Sequence, residues 1–283
     1  MQTGKRNFRD TIFLNKRPDL LNPKKISNKL FTRTFGKNIF YFNSIDSTQD
    51  AAKKLEQNGA PEGAVVIAEE QTKARGRGDR SWFSPKGGLW FSLLLRPSLE
   101  PKEIPLLSLV FSLAIAEAIE KECKVICKVK WPNDVLLENP RLKNSFKKVC
   151  GILIEMSAES DKVHWVIVGC GVNVNNLLPK ELIPKVVTLK EVLGKKVNRN
   201  VLLQALLKAM ESFYIKFVQE GFSVFYNSYN QKSILQDKNI LIEDYKNKTE
   251  GKFLKLDSDG SLILLTARKE LKKFFSGDVS LHS

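Results

Sequence analysis

Two histidines, His164 inside an apolar run and His282 at the very end, are all that a chain of 283 residues offers for imidazole chemistry. Acid–base catalysis by histidine and a histidine-rich metal site are therefore poor readings. Cys123 and Cys127 lack a second, matching pair, so a zinc module is not expected either. Neither a Gly-x-Ser-x-Gly elbow nor a Gly-x-x-x-x-Gly-Lys-Ser/Thr phosphate loop occurs. The remaining chemistry is of the kind run by positioning reactants and compensating negative charge.

Four segments suit it. The first sets Arg75, Arg77 and Arg80 around Gly76 and Gly78, just ahead of Trp82. Glycines let a backbone approach an anion closely, and successive N–H groups can form a concave nest for it. The arginines add charge, and the indole offers a flat face for a base. Taken alone, such a loop also reads as an arginine-glycine surface segment that binds RNA or nothing. The second, Lys130-Trp-Pro-Asn-Asp134, ends a strand and leaves Asn133 and Asp134 at its mouth. In the third, Lys147 and Lys148 run directly into an apolar strand through Gly151 to Glu155, which would hold an ammonium partly desolvated beside a cleft. The fourth, Gly169 to Asn175, follows a strand with glycines and alternating asparagines suited to a sugar or phosphate.

The elements that must position these segments read as follows. Residues 39–42, 64–68, 88–95, 124–131, 149–156 and 163–168 have strand character. Ser47 to Asp50 is an N-terminal cap signal for a helix running through Leu55. Residues 106–121 and 202–218 repeat their apolar positions at helical spacing, and a short helix is expected within 24–31. Beyond Lys238, four short strand-like runs with turn residues between them, 240–242, 251–256, 261–265 and 271–275, point to a small β-barrel. The expected class is α+β, divided into a basic extension (1–37), a mixed catalytic body (38–235) and an all-β end (236–283).

Composition bounds the function. Lys+Arg 46 against Asp+Glu 31 gives a net charge of +15, which invites a polyanion as partner. The first 38 residues hold ten of the cations but no recognition-helix pattern, so a nucleic-acid-binding regulator stands as an alternative from a different class. The longest apolar stretch, Leu106 to Ile119, is too short and too polar to span a bilayer, and no secretory signal opens the chain. Free, buried cysteines and a cytoplasmic location are expected.

The segments together resemble one family. Ser47-Thr48, Ala68 to Thr72, Arg75-Gly76-Arg77, Trp82 to Pro85, Gly87 to Trp90, Lys130 to Asp134, Lys148 to Gly151 and Gly169-x-Gly171-x-Asn173 follow the order and approximate spacing of biotin–protein ligases. The likeness runs from about residue 38 to the terminus, where Phe275 to Val279 looks like the end of that family's SH3-like barrel. It implies the biotin/lipoate-ligase catalytic fold, a mixed β-sheet with helices. It also implies ATP-dependent formation of biotinyl-5′-AMP, with Mg²⁺ accompanying the nucleotide, and transfer of biotin to a lysine of a biotin carboxyl carrier domain.

Carried over residue by residue, the resemblance places Ser47, Thr48, Gln49 and Gln71 at the ureido head of biotin and Arg75, Gly76 and Arg77 at its carboxyl end. Both arginines would face the phosphates. Trp82 would lie beside adenine, with Asn133 and Asn173 as further ATP contacts. Lys148 would draw carboxylate and α-phosphate together, Asp134 would orient or deprotonate the carrier lysine, and Gly151 would let biotin pass close to its strand. No resident metal site is implied. The resemblance is to the monofunctional type, without a DNA-binding domain or specific DNA binding, with a homodimer as one arrangement. Lipoate–protein ligase, which shares the catalytic fold, is the nearer alternative. Two departures stand in the arginine loop: Ala74 where the family commonly has Gly, a strain of about 1 kcal/mol if φ must be positive, and Asp79, expected to pair with Arg80 or Lys73.

Overall fold

The computed structural model describes residues 19–78, 80–139, 142, 144–244 and 247–281. Seven strands form the main sheet: β1 (Ile39–Phe42), β2 (Val65–Ala68), β3 (Leu89–Leu95), β4 (Cys127–Lys130), β5 (Asp134–Glu138), β6 (Phe146–Glu159) and β7 (Lys162–Val172). Their order is β1-β2-β3-β7-β6-β5-β4. Only β1 and β2 run parallel; every other neighbour is antiparallel.

Alternation along the central strands gives the sheet two different faces. Leu89, Phe91, Leu93 and Leu95 of β3 point with Val166, Val168, Cys170 and Val172 of β7 into the large core. There α3 (Leu106–Cys123) and α5 (Arg199–Glu220) cover them. The opposite face is covered only in part, by α2 (Thr48–Gln57), whose Ala51 and Ala52 pack on Val66, Leu94 and Ile167. Next to that patch the same face carries Ser92 on β3, opposite Gly169, while Gly171 lies opposite Gly151 on β6. Small residues at these successive positions leave a trough beside α2.

Residues 19–38, ahead of β1, pack on the body. Helix α1 (Pro23–Asn28) starts at an Asn22 cap, and Leu21, Ile26, Leu30 and Phe35 are buried in the large core. Two buried acids fasten this segment. Glu211 on α5 accepts from the backbone N–H groups of Arg33, Thr34 and Phe35 at 2.6–2.8 Å. Glu69, 1% exposed at the exit of β2, accepts from the N–H of Leu21 (2.7 Å) and from Arg199 (2.8 Å), itself 2% exposed. Arg199 also donates to the side chain and carbonyl of Asp19 and to the Gly88 carbonyl.

After α4 (Leu189–Leu193), α5 and α6 (Ser223–Lys232), the chain ends in a second antiparallel sheet. Its strands are β8 (Asn239–Asp244), β9 (Asn247–Leu256), β10 (Leu262–Leu265), β11 (Leu271–Phe274) and β12 (Asp278–Leu281), in the order β11-β10-β9-β8-β12. Five strands stand where the sequence suggests four, because β12 is too short and polar to carry its own apolar signal. Likewise Asp134 does not close a strand into an open loop. It begins β5 after a tight turn at Trp131–Asn133, so β4 and β5 form a hairpin. The inner residues of the small sheet, Ile240, Phe253, Leu256 and Leu264, join the core of the body. Trp131 donates across to the Gly260 carbonyl at 3.0 Å.

All four cysteines are free, three of them buried. Among the described residues no helix is long and apolar enough to cross a membrane. The Glu69–Arg199 pair supplies a stability test. Replacing Arg199 by Ala strands a buried carboxylate and should cost about 3–5 kcal/mol, read as a fall in the urea midpoint; an unchanged midpoint would show that the pair carries no net stability.

Candidate active site

The trough opens into a cleft of about 420 Å³ bounded by α2, the 71–84 loop, the β4–β5 turn and the 178–186 segment, with Asp278 of the small sheet at its edge. At its inner end lies a chain of polar groups. Ser47 caps α2, accepting from the Asp50 N–H. That start of the helix presents the Thr48 N–H and hydroxyl to Gln71 Oε1 at 2.8 and 2.9 Å. Ser92 donates to Thr48 Oγ1 (2.8 Å), and Gln71 Nε2 donates to Ser84 Oγ (3.0 Å). Ser92 is wholly buried in an otherwise apolar strand. Gln49 reaches the Leu153 and Ile167 carbonyls and Glu155 by donor distances of 3.3–3.5 Å, while its buried Oε1 has no partner among the described residues.

Glycines make the floor. A Cβ on Gly169 would come within 2.9 Å of Gln49, and one on Gly171 within 2.3 Å of the Trp82 indole nitrogen. A Cβ on Gly151 would meet the same indole at 2.9 Å and Lys148 Nζ at 3.1 Å. The Trp82 ring thus lies against the Gly151–Gly171 pair, with Lys148 Nζ 4.9 Å from a ring centroid. Cation–π attraction and burial both favour this placement.

Lys148 is the central cation. Its backbone pairs with the 185–187 segment through Lys148 N–H to the Lys185 carbonyl (2.9 Å) and Val187 N–H to the Lys148 carbonyl (3.0 Å). Its ammonium lies 2.6 Å from Asp134 Oδ1, both side chains mostly shielded from solvent. Asn133, in the hairpin turn, donates to the Ile152 carbonyl at 2.7 Å and accepts from Arg77 at 3.2 Å. Asn173 is buried, its Oδ1 accepting from Asn176 and its N–H donating to the Val149 carbonyl. It therefore orders the base of the cleft.

The arginine loop departs from a free anion nest. The Gly76 N–H is donated to the Arg80 carbonyl (2.7 Å) and the Trp82 N–H to the Ala74 carbonyl (2.9 Å), so the loop is closed on itself and the nest is broken at Gly76. Ala74 is not among the residues of positive φ, which removes the strain expected there. Asp79 lies outside the described residues; Arg80 pairs with Asp278, and Lys73 with Asp46. Arg75 turns to Asp50, which it holds through both carboxylate oxygens at 2.7 and 2.9 Å, and to Glu155 at 3.3 Å. The Arg75 hydrogen bonds hold the Asp50 carboxyl below its ordinary range. Arg77 spans from Asn133 to the Gly277 carbonyl (2.9 Å), with burial lowering its pKa and the charge of Asp278 opposing that shift.

The sequence reading quoted Ser84, Gly171 and Lys130 only as parts of motifs, without a role of their own, and did not single out Ser92 or Asp278. A serine inside an apolar strand is a signal that could have found Ser92; no local pattern announces Asp278. Gly171 offers a direct test. Gly171→Ala should force the indole off the sheet at a cost of about 1–3 kcal/mol in strain, seen as a change in the emission that Trp82→Phe removes; identical emission would show that the ring does not rest there.

Comparison with known proteins agrees with this geometry. Residues 41–173 match the family model described as the biotin/lipoate A/B protein ligase family. Over 272 residues the chain is 35% identical to the bifunctional ligase/repressor BirA of Bacillus subtilis, covering 95% of this chain and 81% of that one. It is 31% identical over 227 residues to the biotin–[acetyl-CoA-carboxylase] ligase of Paracoccus denitrificans, 77% of this chain and 90% of that one. The biotin protein ligase of Aquifex aeolicus, solved with biotin and ATP, superimposes with a TM-score of 0.73 at 33% identity, covering 87% of this chain and 99% of that one. The chain belongs to the biotin/lipoate A/B protein ligase family.

Proposed function

We propose that this chain is an ATP-dependent biotin–protein ligase of the cytoplasm, which makes biotinyl-5′-AMP and passes the biotinyl group to a lysine of a biotin carboxyl carrier domain. The observation that carries this reading is the Lys148–Asp134 pair, 2.6 Å apart, set between a polar pocket and an arginine loop in one cleft. Two of the relatives named above carry biotin in their names, and one of these was solved with biotin and ATP.

The polar pocket favours biotin over lipoate. A ureido ring has two N–H donors and one carbonyl to exchange with Ser47, Thr48, Gln49 and Gln71, whereas a dithiolane would bury them without partners, at a cost of about 1–3 kcal/mol for each group stranded. Neither reactant needs an enzyme nucleophile. A biotin carboxylate oxygen bonds to the α-phosphorus, the bond from that phosphorus to the oxygen bridging to the β-phosphate breaks, and pyrophosphate leaves with the electron pair. Two anions must meet for this, and Lys148 would hold both and offset the charge between them. In the second step the carrier amine attacks the biotinyl carbonyl, the bond to the phosphate oxygen breaks, and AMP departs. Asp134, beside Lys148, would orient that amine and take its proton.

Arg77 would meet the nucleotide, and Arg75, held by Asp50, would shape the carboxyl end of the biotin channel. Trp82 would yield the trough to biotin and cover the adenylate. Magnesium would enter as part of MgATP, bound by phosphate oxygens and water. Among the described residues no group of three or more His, Cys, Asp or Glu side chains comes together as a metal cage. Specific DNA binding forms no part of this reading.

The test is exchange of labelled pyrophosphate into ATP. It should require biotin and magnesium, and Lys148→Ala should reduce it by about 100-fold or more with the fold intact. Exchange driven by lipoate and not by biotin would overturn the substrate. Salt-sensitive, sequence-selective DNA binding by the purified protein would favour the regulator.

A further inference from the structure

The basic run ahead of β1 takes no part in the cleft, and the fold arranges it in a line. Residues 20–35 lie along one side of α5. Asn200 accepts from the Asn22 N–H (2.8 Å) and donates to the Leu20 carbonyl (3.0 Å), while Gln204 donates to the carbonyls of Lys25 and Ile26 (2.9 and 2.8 Å). Further on, Lys208 Nζ stands 4.9 Å from the Phe31 ring centroid, and Glu211 holds the N–H groups of residues 33–35. Positions 200, 204, 208 and 211 share one face of a helix, so the strip is about 17 Å long from the helical rise. Along it Lys24, Lys25, Lys29, Arg33, Lys37 and Lys208 are exposed. Among the described residues none of these side chains has a carboxylate partner or a hydrogen bond. The sequence has no acid between Asp19 and Asp46, and Glu211 is buried and spent on backbone N–H groups. In the middle of the strip Phe31 is 84% exposed, although Ile26, Leu30 and Phe35 around it in sequence are buried. Lys208 fixes one side of that ring and the other is open.

A row of uncompensated cations beside an open aromatic ring fits a chain of phosphates that carries flat bases. We infer that this strip binds single-stranded nucleic acid without regard to sequence, its cations following the phosphates and Phe31 stacking under a base. Other polyanions use less of it. A duplex could meet the cations, but its bases are already stacked on one another and leave the ring nothing to cover. An anionic membrane would want an apolar face to enter, and here the neighbouring apolar side chains are turned into the core. Nor is this the regulator weighed from composition, which must read a duplex sequence; α1, six residues long, is no recognition helix. The inference does not depend on the ligase reading. α5 covers the core face of the main sheet, and the cleft opens on the opposite face, so the strip and the cleft are separate sites.

The test is the fluorescence anisotropy of labelled oligo-dT and oligo-U of about 12 nucleotides, titrated with the full chain over a range of salt. Both should bind, because phosphate and a base face are common to DNA and RNA, and affinity should fall as salt rises. The triple variant Lys24→Gln, Lys29→Gln, Arg33→Gln should weaken binding by about tenfold or more at low salt and make the log–log salt slope shallower by about two, the number expected for three lost phosphate contacts on a single strand. Phe31→Ala should weaken binding about tenfold with the slope unchanged, and Phe31→Trp should restore it. A control that removes the same charge elsewhere, Lys162→Gln, Lys238→Gln, Lys255→Gln, should change affinity by less than about twofold, since exposed charges beyond a Debye length are screened. Thermal midpoints report whether each variant folds, and Phe31→Ala tests the strip should the triple variant not fold. Equal losses in the two triple variants would overturn the inference, since the charge would then act as a diffuse field. Full affinity in Phe31→Ala would also overturn it, as would binding to phosphatidylserine vesicles in the absence of any binding to the oligonucleotides.

Discussion

One buried ion pair carries much of the architecture. Glu69 leaves β2 with its carboxylate shielded from solvent, and Arg199 opens the longest helix with its guanidinium equally buried. Neither tolerates burial alone, since an isolated charge in the interior is far costlier than a paired one. Their hydrogen bonds reach Asp19, Leu21 and Gly88, so a single contact ties the leading segment, the second strand, the approach to the third and the helix behind the sheet. Two residues after Glu69 comes Gln71, the centre of the polar pocket. The position of that pocket is thus inherited from an interaction on the far side of the strand end.

The same logic appears in smaller form around the cleft. Four cations along the cleft are braced by an opposite charge from elsewhere: Arg75 by Asp50, Lys148 by Asp134, Arg77 and Arg80 by Asp278 of the small sheet. A site built to join two anions must hold excess cations in a half-buried space, where they repel one another. The carboxylates offset that repulsion and set the side-chain directions. The large positive charge of the whole chain has little part in this. Among the described residues most lysines and arginines are exposed, where they can influence the rate at which a negatively charged partner arrives, an effect that salt weakens.

Elements with strong local patterns were legible from residue types. The Ser47 cap, the buried runs of β3 and β7, and the two long helices follow from spacing alone, because burial of a strand or a helix face imposes a period on the sequence. β5 and β12 did not announce themselves. The first is masked by the proline turn before it, and the second is four residues with only Val279 buried. Their absence from a linear reading matters, since Asp134 and Asp278 begin these two strands.

The sequence by itself determined the chemical repertoire: a site without histidine or nucleophile, rich in arginine and glycine, with Lys148 entering a strand and Ser47 capping a helix. Those facts restrict the reaction to alignment and charge compensation, because side-chain type sets what proton transfers and bonds are possible. Only the tertiary structure decided which charges neutralise one another. Arg199 and Glu69 are 130 positions apart, and Arg80 and Asp278 198 apart. No local period encodes such pairs, since they arise from strand order and register. The trough, too, exists only because register sets Gly151 opposite Gly171. A glycine in a sequence is a permissive residue, but two facing glycines in a sheet are a space, and it is the sheet that brings them together.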